Sequence, residues 1–166
     1  MKTRVQKTKE LADIKTALKT ASITIFTSFA RAGEKGLRVA DMRELKKALY
    51  GLGAQYSVQK KTLLDKALKD LDKKDINIFE YLGSLGVVIG QGNESSIAKY
   101  VYNFRKKFSS FKYFSALLGD QLLDESQFIT FARLPSREVL LSRLLAMLQY
   151  PIRSFAVVIN QIAQKT

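Results

Sequence analysis

The sequence predicts an α+β fold. We expect a sheet of roughly four mostly antiparallel strands, of the split βαβ type, covered by helices and followed by a long, kinked C-terminal helix. Amphipathic helical segments alternate with short strand-like segments up to residue 133, and no Gly/Ser-rich linker interrupts them. From Leu134 one long apolar run replaces this alternation. The chain is therefore predicted to consist of two parts, residues 1–133 and 134–166.

The first half of the chain predicts three helices separated by two strands. Leu11, Ile14 and Leu18 recur at helical spacing, so Thr3–Lys19 is expected to be a helix with one apolar face. The stretch "SITIFTSF" is typical of a strand, and the loop "ARAGEKG" follows it. The amphipathic "RVADMRELKKAL" indicates a helix that ends at "GLGA". "QYSV" indicates a short strand and "TLLDKALKDL" a helix capped by Thr62.

The second half predicts two more strands, with a short additional one, and two more helices. "LGVVIG" is typical of a buried strand bounded by glycines. "ESSIAKYVYNFRKKF" indicates a helix that turns Ile97, Val101, Phe104 and Phe108 inward. "FKYFSALLG" indicates a strand, "QLL" a short strand after it, and "DESQFITFARL" a short helix.

The composition favours a polyanionic partner and excludes several kinds of chemistry. Twenty-eight Lys and Arg residues against fifteen acids give a net charge of +13 and a pI near 9.9. The chain has neither cysteine nor histidine, which excludes disulfides, thiolate zinc sites and Cys- or His-dependent nucleophiles. No acidic cluster is suited to magnesium. We therefore expect no enzyme activity, no cofactor and no metal.

The strongest local candidate for anion binding is "SVQKKTLL". Here a strand ends in two lysines just before a helix begins, so Lys60, Lys61 and the Thr62 hydroxyl are placed to hold phosphate oxygens with the amides of the first helical turn. A charged turn with a helix cap explains the same residues equally well.

A wider group of basic side chains predicts one positive surface. It is formed by Lys2, Arg4 and Lys7, by Arg31 and Lys35 in the loop, and by Arg43, Lys46 and Lys47 on a helix face. Without aromatic platforms, such a surface suits the backbone of structured RNA or DNA better than a single strand. Tyr56 is able to stack on a base, but a core position is the favoured interpretation.

The segment from Leu134 onward carries two apolar stripes. The first, on an arc of about 160° of a helical wheel, contains Leu140, Leu141, Leu144, Leu145, Met147 and Leu148. The second, narrower stripe contains Ile152, Phe155, Ala156, Ile159 and Ile162. Pro151 removes a backbone donor between them and predicts a kink. Two stripes suggest two landing sites for helical partners; packing on the chain's own domain is the alternative.

Three segments resemble a known family. "GLRVADMRELKKALYGLGAQYSVQKKTLLDKAL", "LGSLGVVIG" and "LPSREVLLSRLLAMLQYPIR" are similar to bacterial large-subunit ribosomal protein ten, the stalk-base protein. Lys60, Thr62 and the two leucines after it match the family's strand-exit pattern, with Lys61 in place of an asparagine. Lys46 and Lys47 match a helical pattern in which the family has arginine first. Either Arg31 or Lys35 takes the place of the family's loop arginine.

The resemblance implies a structural protein of the cytoplasmic ribosome with two partners of different chemistry. The N-terminal domain would bind the stalk-base region of 23S ribosomal RNA beside the eleventh large-subunit protein. The C-terminal helix would dock dimers of the small acidic stalk protein, with room for two, and the stalk would recruit translational GTPases. The alternative is a membrane-associated nucleic-acid-binding protein with an amphipathic tail. The tail has few basic residues, so no membrane partner is expected.

Overall fold

A computed structural model of the chain describes residues 4–30, 36–71, 78–80, 83–119 and 121–164. The chain divides into two compact units, Met1–Arg133 and Leu134–Thr166.

The first unit alternates helices and strands along the described chain, which confirms the predicted α+β class. Its elements are α1 (Arg4–Thr20), β1 (Ile23–Ser28), α2 (Val39–Gly51), β2 (Ala54–Val58), α3 (Lys61–Lys69), β3 (Leu85–Gly90), α4 (Glu94–Lys107), β4 (Lys112–Leu118), β5 (Gln121–Asp124) and α5 (Glu125–Arg133). A single 3₁₀ turn, Ile78–Glu80, precedes β3. The second unit contains α6 (Arg137–Ala163).

The strands form one sheet in the order β2-β3-β1-β4-β5. Every neighbouring pair is antiparallel, so the predicted antiparallel sheet is confirmed. The short segment "QLL" is the fifth strand, which pairs with the end of β4 and forms one edge of the sheet. The pairing of β1 with β4 shifts register between Phe26 and Thr27, where an extra β4 residue is accommodated.

Helices cover both faces of the sheet, because its central strands carry apolar side chains on both sides. On one face α2, α4 and α5 bury Leu45, Leu49, Ile97, Val101 and Phe128 against β1, β3 and β4. On the other face α1 and α3 cover a second core that includes Phe26 and Val87. The inward positions predicted for α4 are confirmed: three are buried and Phe108 is half-buried.

The N-cap of α3 lies two residues before the predicted one. Lys60, with an extended backbone (φ −71°, ψ 132°), is the N-cap, and it makes no side-chain cap hydrogen bond. Thr62 is the second residue of the helix. The expectation that Thr62 caps α3 is wrong, because capping requires the residue before the first helical one.

Tyr56 on β2 lies in the core, as the favoured interpretation predicted, and its ring crosses Gly86 of β3. The side chain is 5% exposed. A Cβ added at Gly86 would overlap the Tyr56 hydroxyl and lie 2.6 Å from Tyr56 Cζ. The polar group beside this hydroxyl is Thr27, whose Oγ1 donates to the Gly86 carbonyl at 3.0 Å. Base stacking by Tyr56 is thereby excluded in this structure.

Gly86→Ala is expected to lower the free energy of unfolding by about 1–3 kcal/mol, because the new methyl group overpacks the core against the Tyr56 ring. Gly51→Ala is the matched control. Gly51 is the last residue of α2 and a Cβ there meets nothing within 4 Å, so stability should stay unchanged or rise by up to about 1 kcal/mol. Urea unfolding of both variants measures the difference; equal stabilities would contradict the overpacking argument.

Burial raises the pKa of Tyr56 to about 12, and the neighbouring Thr27 hydroxyl lowers it by a smaller amount. Between pH 10 and 12 the unfolded chain loses the Tyr56 proton while the folded chain keeps it. The free energy of unfolding should therefore fall by about 3 kcal/mol over that window through this residue. Tyr56→Phe removes this contribution, so its unfolding free energy should decline less steeply above pH 10. Parallel pH profiles for the two proteins would contradict this assignment.

Candidate functional site

One end of the sheet collects the segments that the sequence predicts to bind anions. β1 and β2 finish there and β3 and β4 begin there: Ser28 pairs with both Leu85 and Lys112, and Val58 pairs with Gly86. The residues after β1 and after β2 therefore emerge at the same end of the sheet, on either side of the start of β3. We call this end, with the residues that follow Ser28 and Val58, the basic end of the sheet.

Lys60, Lys61 and Thr62 lie at the basic end, in the turn from β2 to α3. The preceding Gln59 amide donates to the Leu85 carbonyl at 3.4 Å, which ties the strand exit to β3. The Lys60 carbonyl accepts from the amides of the first turn of α3 at 3.0 and 3.1 Å. Lys60 and Thr62 are exposed and Lys61 is half-buried. Two ammonium groups and a hydroxyl are thus presented at a helix N-terminus, where the helix dipole favours an anion.

The loop with Arg31 and Lys35 lies outside the described residues, but both of its flanks are placed. The Ala30 carbonyl accepts from the Ser84 amide at 2.8 Å. After the loop, the Leu37 amide donates to the Phe29 carbonyl at 2.9 Å. The loop therefore starts and returns at the basic end of the sheet, one strand away from the strand exit that carries Lys60.

The start of α1, with Arg4 and Lys7, runs toward the same end. Thr20, the last residue of α1, accepts a hydrogen bond on Oγ1 from Gln91 Nε2 at 3.0 Å, at the opposite end of the sheet. The 17 residues of α1 extend back from there across the sheet, since Ile14 and Leu18 are buried against it. The backbone of Arg4 and Lys7 is thereby directed toward the basic end.

The helix α2 presents Arg43, Lys46 and Lys47 on its exposed side, opposite buried Leu45 and Leu49. Because α2 starts near the basic end and runs away from it, Arg43 lies closest to that end and the two lysines continue the positive surface along the helix. These three residues lie on one helix face, as the sequence predicts, and that face begins near the strand exits at the basic end.

Arg38 is a basic residue of this region that the sequence interpretation missed. It is the N-cap of α2, its side chain is 85% exposed, and its Nε lies 3.4 Å from Asp41 Oδ2. Its position in the sequence could have identified it, because Arg38 directly precedes the first residue of a helix that the sequence predicts well.

The second candidate surface is α6, a helix of 27 residues without a buried residue. All eleven residues predicted to bind a protein are exposed, from 41% for Leu140 to 73% for Ile152 among the large ones. The helix contains Pro151 and continues through it; the Ser154 hydroxyl donates to the Pro151 carbonyl at 2.9 Å. The kink expected there stays a prediction. Exposed valines that the interpretation missed are Val139, Val157 and Val158.

The two apolar stripes of α6 fall on one side of the continuous helix. With about 100° between successive residues, all eleven positions lie within about half of the helix circumference. Seven of them follow one another at alternating spacings of four and three, the pattern of a helix that packs on other helices. These residues are Leu141, Leu145, Leu148, Ile152, Phe155, Ile159 and Ile162.

Neither a metal-binding cluster nor a membrane-spanning helix occurs among the described residues. Those residues contain no group of three or more His, Cys, Asp or Glu that is suited to hold a metal ion. None of the described helices is long and apolar enough to span a membrane.

Comparison with known proteins matches both units. The family "Ribosomal protein L10" matches residues 2–106, and the family "Ribosomal protein uL10 C-terminal region" matches residues 134–166. Proteins named large ribosomal subunit protein uL10 are similar over most of their length. The Alkaliphilus oremlandii protein is 30% identical over 159 residues, which cover 96% of this chain and 92% of that protein. The Carboxydothermus hydrogenoformans protein is 31% identical over 152 residues, covering 91% and 82%. The Clostridioides difficile protein is 31% identical over 131 residues, covering 79% and 78%.

Proposed function

Because the chain belongs to the uL10 family of large ribosomal subunit proteins, we propose that it anchors the stalk of the large subunit. The family makes it a structural component of the cytoplasmic ribosome and not an enzyme. In this proposal the first unit binds the stalk-base region of 23S ribosomal RNA, and α6 binds dimers of the small acidic stalk protein. The observation that carries the proposal is the 27-residue α6, whose entire apolar side is exposed.

The RNA-binding half of the proposal rests on the basic end of the sheet. Lys60, Lys61 and Thr62 stand at the N-terminus of α3, and the loop with Arg31 and Lys35 begins and ends beside them. The start of α1 runs toward this end, and the cations of α2 extend the same surface. Phosphate oxygens are the natural ligands of such a cluster, and each neutralised phosphate releases condensed counterions. The eleventh large-subunit protein is proposed as the neighbour on this RNA.

The protein-binding half rests on the apolar side of α6. Burying one large aliphatic or aromatic side chain contributes about 1.5–3 kcal/mol, so the exposed stripe offers a gross gain well above the cost of association. The net positive charge of the chain favours an acidic partner. Stalk dimers held in this way would recruit the translational GTPases to the ribosome.

The length of α6 supports two dimers. Twenty-seven residues at 1.5 Å rise give about 40 Å, and packed helices lie about 10 Å apart. If each dimer lays two helices across α6, it occupies about 20 Å. Pro151 lies near the middle of the helix, where it separates two such sites.

Lys60→Ala combined with Lys61→Ala is expected to weaken binding to a transcript of the stalk-base region of 23S ribosomal RNA. The slope of log affinity against log salt should decrease by about one for each phosphate that the variant no longer neutralises. Filter binding across a salt series measures both quantities.

Lys19→Ala combined with Lys66→Ala is the matched control for the RNA experiment. It removes the same charge from exposed positions on α1 and α3, away from the basic end. Its affinity and slope should stay close to those of the unaltered chain. If both double variants had the same RNA affinity and the same salt slope, Lys60 and Lys61 would not belong to the RNA-binding site.

Native mass spectrometry of the chain with the small acidic stalk protein is expected to show two dimers, hence four small subunits per copy. The apolar side of α6 supplies the interface, so Leu145→Asp together with Leu148→Asp should abolish capture through the desolvation of two charges. A chain that ends before Pro135 should bind RNA and capture no dimer. A mass for three dimers, or capture by the shortened chain, would contradict this part of the proposal.

A further inference from the structure

A pocket of about 350 Å³ opens on the surface where α4 ends and β4 begins. Tyr102, Arg105, Lys106, Ser109 and Lys112 line it. Among the described residues that line it there is no carboxylate. Three basic residues and two hydroxyl-bearing residues therefore line one concave volume, and side chains of these types are suited to hold an oxyanion.

Two of the side chains around this pocket are held in place by neighbours. Arg105 Nη2 donates to Glu125 Oε1 at 3.1 Å, and Nη1 donates to Tyr113 Oη at 3.3 Å. Arg133 Nη2 donates to Tyr102 Oη at 3.2 Å, and its guanidinium also lies 5.7 Å from the centre of the Tyr102 ring. The wall of the pocket is thus ordered by hydrogen bonds from arginine, so a ligand does not have to order it.

The local potential at the pocket is positive. The hydrogen bond from Arg133 lowers the pKa of Tyr102 below its usual value, and the charges of Arg133, Lys106 and Arg105 lower it further. Arg105 is paired with Glu125, whereas Lys106 is exposed on the last turn of α4. The same cations that lower this pKa also favour a bound phosphate oxygen.

This pocket adjoins the positive face of α2. Lys107, the neighbour of Lys106, forms an ion pair with Glu44 of α2 at 3.1 Å, which joins the two helices. Glu44 lies beside Arg43 in the chain. The pocket also shares the basic end of the sheet, since Lys112 begins β4 opposite Ser28. Positive charge therefore continues from the strand exits over α2 to the end of α4.

We propose that the pocket formed by Tyr102, Lys106, Ser109 and Lys112 binds a phosphate of the RNA backbone, as a second binding point beyond the strand exits. The proposal rests on the RNA-binding role given above. Ser109, Lys112 and Arg133 lie between the two segments matched by the family comparisons, 2–106 and 134–166. Tyr102, Arg105 and Lys106 lie within the first matched segment, and the assignment of the pocket rests on its geometry alone.

RNA fits the pocket better than an acidic peptide for two reasons. The pocket is one part of an extended positive band, and a backbone with phosphates at regular intervals occupies several points of such a band at once. The hydroxyl groups of Tyr102 and Ser109 supply neutral donors beside the cations, as is common where proteins hold phosphates. A carboxylate side chain would use the pocket and leave the rest of the band unoccupied.

The test uses the full chain with Lys106→Ala and Lys112→Ala, and the stalk-base transcript as the probe. The salt slope should decrease by one to two, and Kd should rise about fivefold at 0.15 M salt for each phosphate that is no longer bound. Lys106→Glu, at an exposed position that does not support the core, should weaken binding more than Lys106→Ala. The double variant Lys19→Ala and Lys66→Ala should leave slope and affinity unchanged.

Each outcome decides between sources of the anion. If the variant Lys106→Ala and Lys112→Ala has the same salt slope as the control variant, while Lys60→Ala and Lys61→Ala still reduce the slope, the pocket does not bind RNA. The proposed RNA-binding function of the first unit then remains intact. No binding of RNA by the unaltered chain overturns both. Saturation of the pocket by inorganic phosphate with unchanged RNA affinity assigns it to free phosphate and overturns the RNA-binding role of the pocket. The RNA-binding role of the pocket is also overturned if the unaltered chain captures polyglutamate, the pocket variant does not, and both bind RNA equally well. The ligand of the pocket is then an acidic protein.

Discussion

The antiparallel pairing of β1 and β3 at the centre of the sheet is the constraint on which the rest of the first unit depends. It places Ser28 opposite Leu85, and the pairing of β2 with β3 then brings Val58 to the same level. Two chain segments that are about 30 residues apart leave the sheet together as a consequence. Basic residues that are far apart in the sequence form one positive surface only because of this register.

The same pairing explains why Gly86 is needed. The Tyr56 ring leaves β2, crosses the neighbouring strand and reaches Thr27 of β1, so it covers three strands with one side chain. A larger residue on the middle strand would lift the ring from the sheet. Close packing at this point keeps β2, an edge strand, tied to the centre and thereby fixes the position of the Lys60 turn.

Much of the fold was predictable from local pattern, because the relevant signals are periodic and short in range. The spacing of Ile97, Val101 and Phe104 identified α4 and its inward face, and the β-branched run at Ile23 identified β1. The alternation of helices and strands indicated one sheet covered by helices. The order of the strands and the Tyr56–Gly86 crossing depend on packing between distant residues, which no local spacing encodes.

The candidate surfaces were predictable to a similar extent and for the same reason. Arg43, Lys46 and Lys47 were assigned to one helix face by period alone, and that face is exposed. The cap of α3 was misplaced by two residues because Thr62 is the better capping residue chemically, yet the extended backbone at Lys60 decides where the helix begins. The meeting of Arg133 with Tyr102, 31 residues apart, required the packing of α5 on α4.

The bare apolar side of α6 has a consequence for copies of the chain that have not been assembled. In such copies its exposed leucines and isoleucines form the kind of apolar surface that chaperones and proteases bind. Occupied by partners, the same residues are hidden. If α6 binds stalk dimers as proposed, its exposed apolar side distinguishes chains that lack partners, and removal of those chains would keep the amounts of anchor and stalk matched.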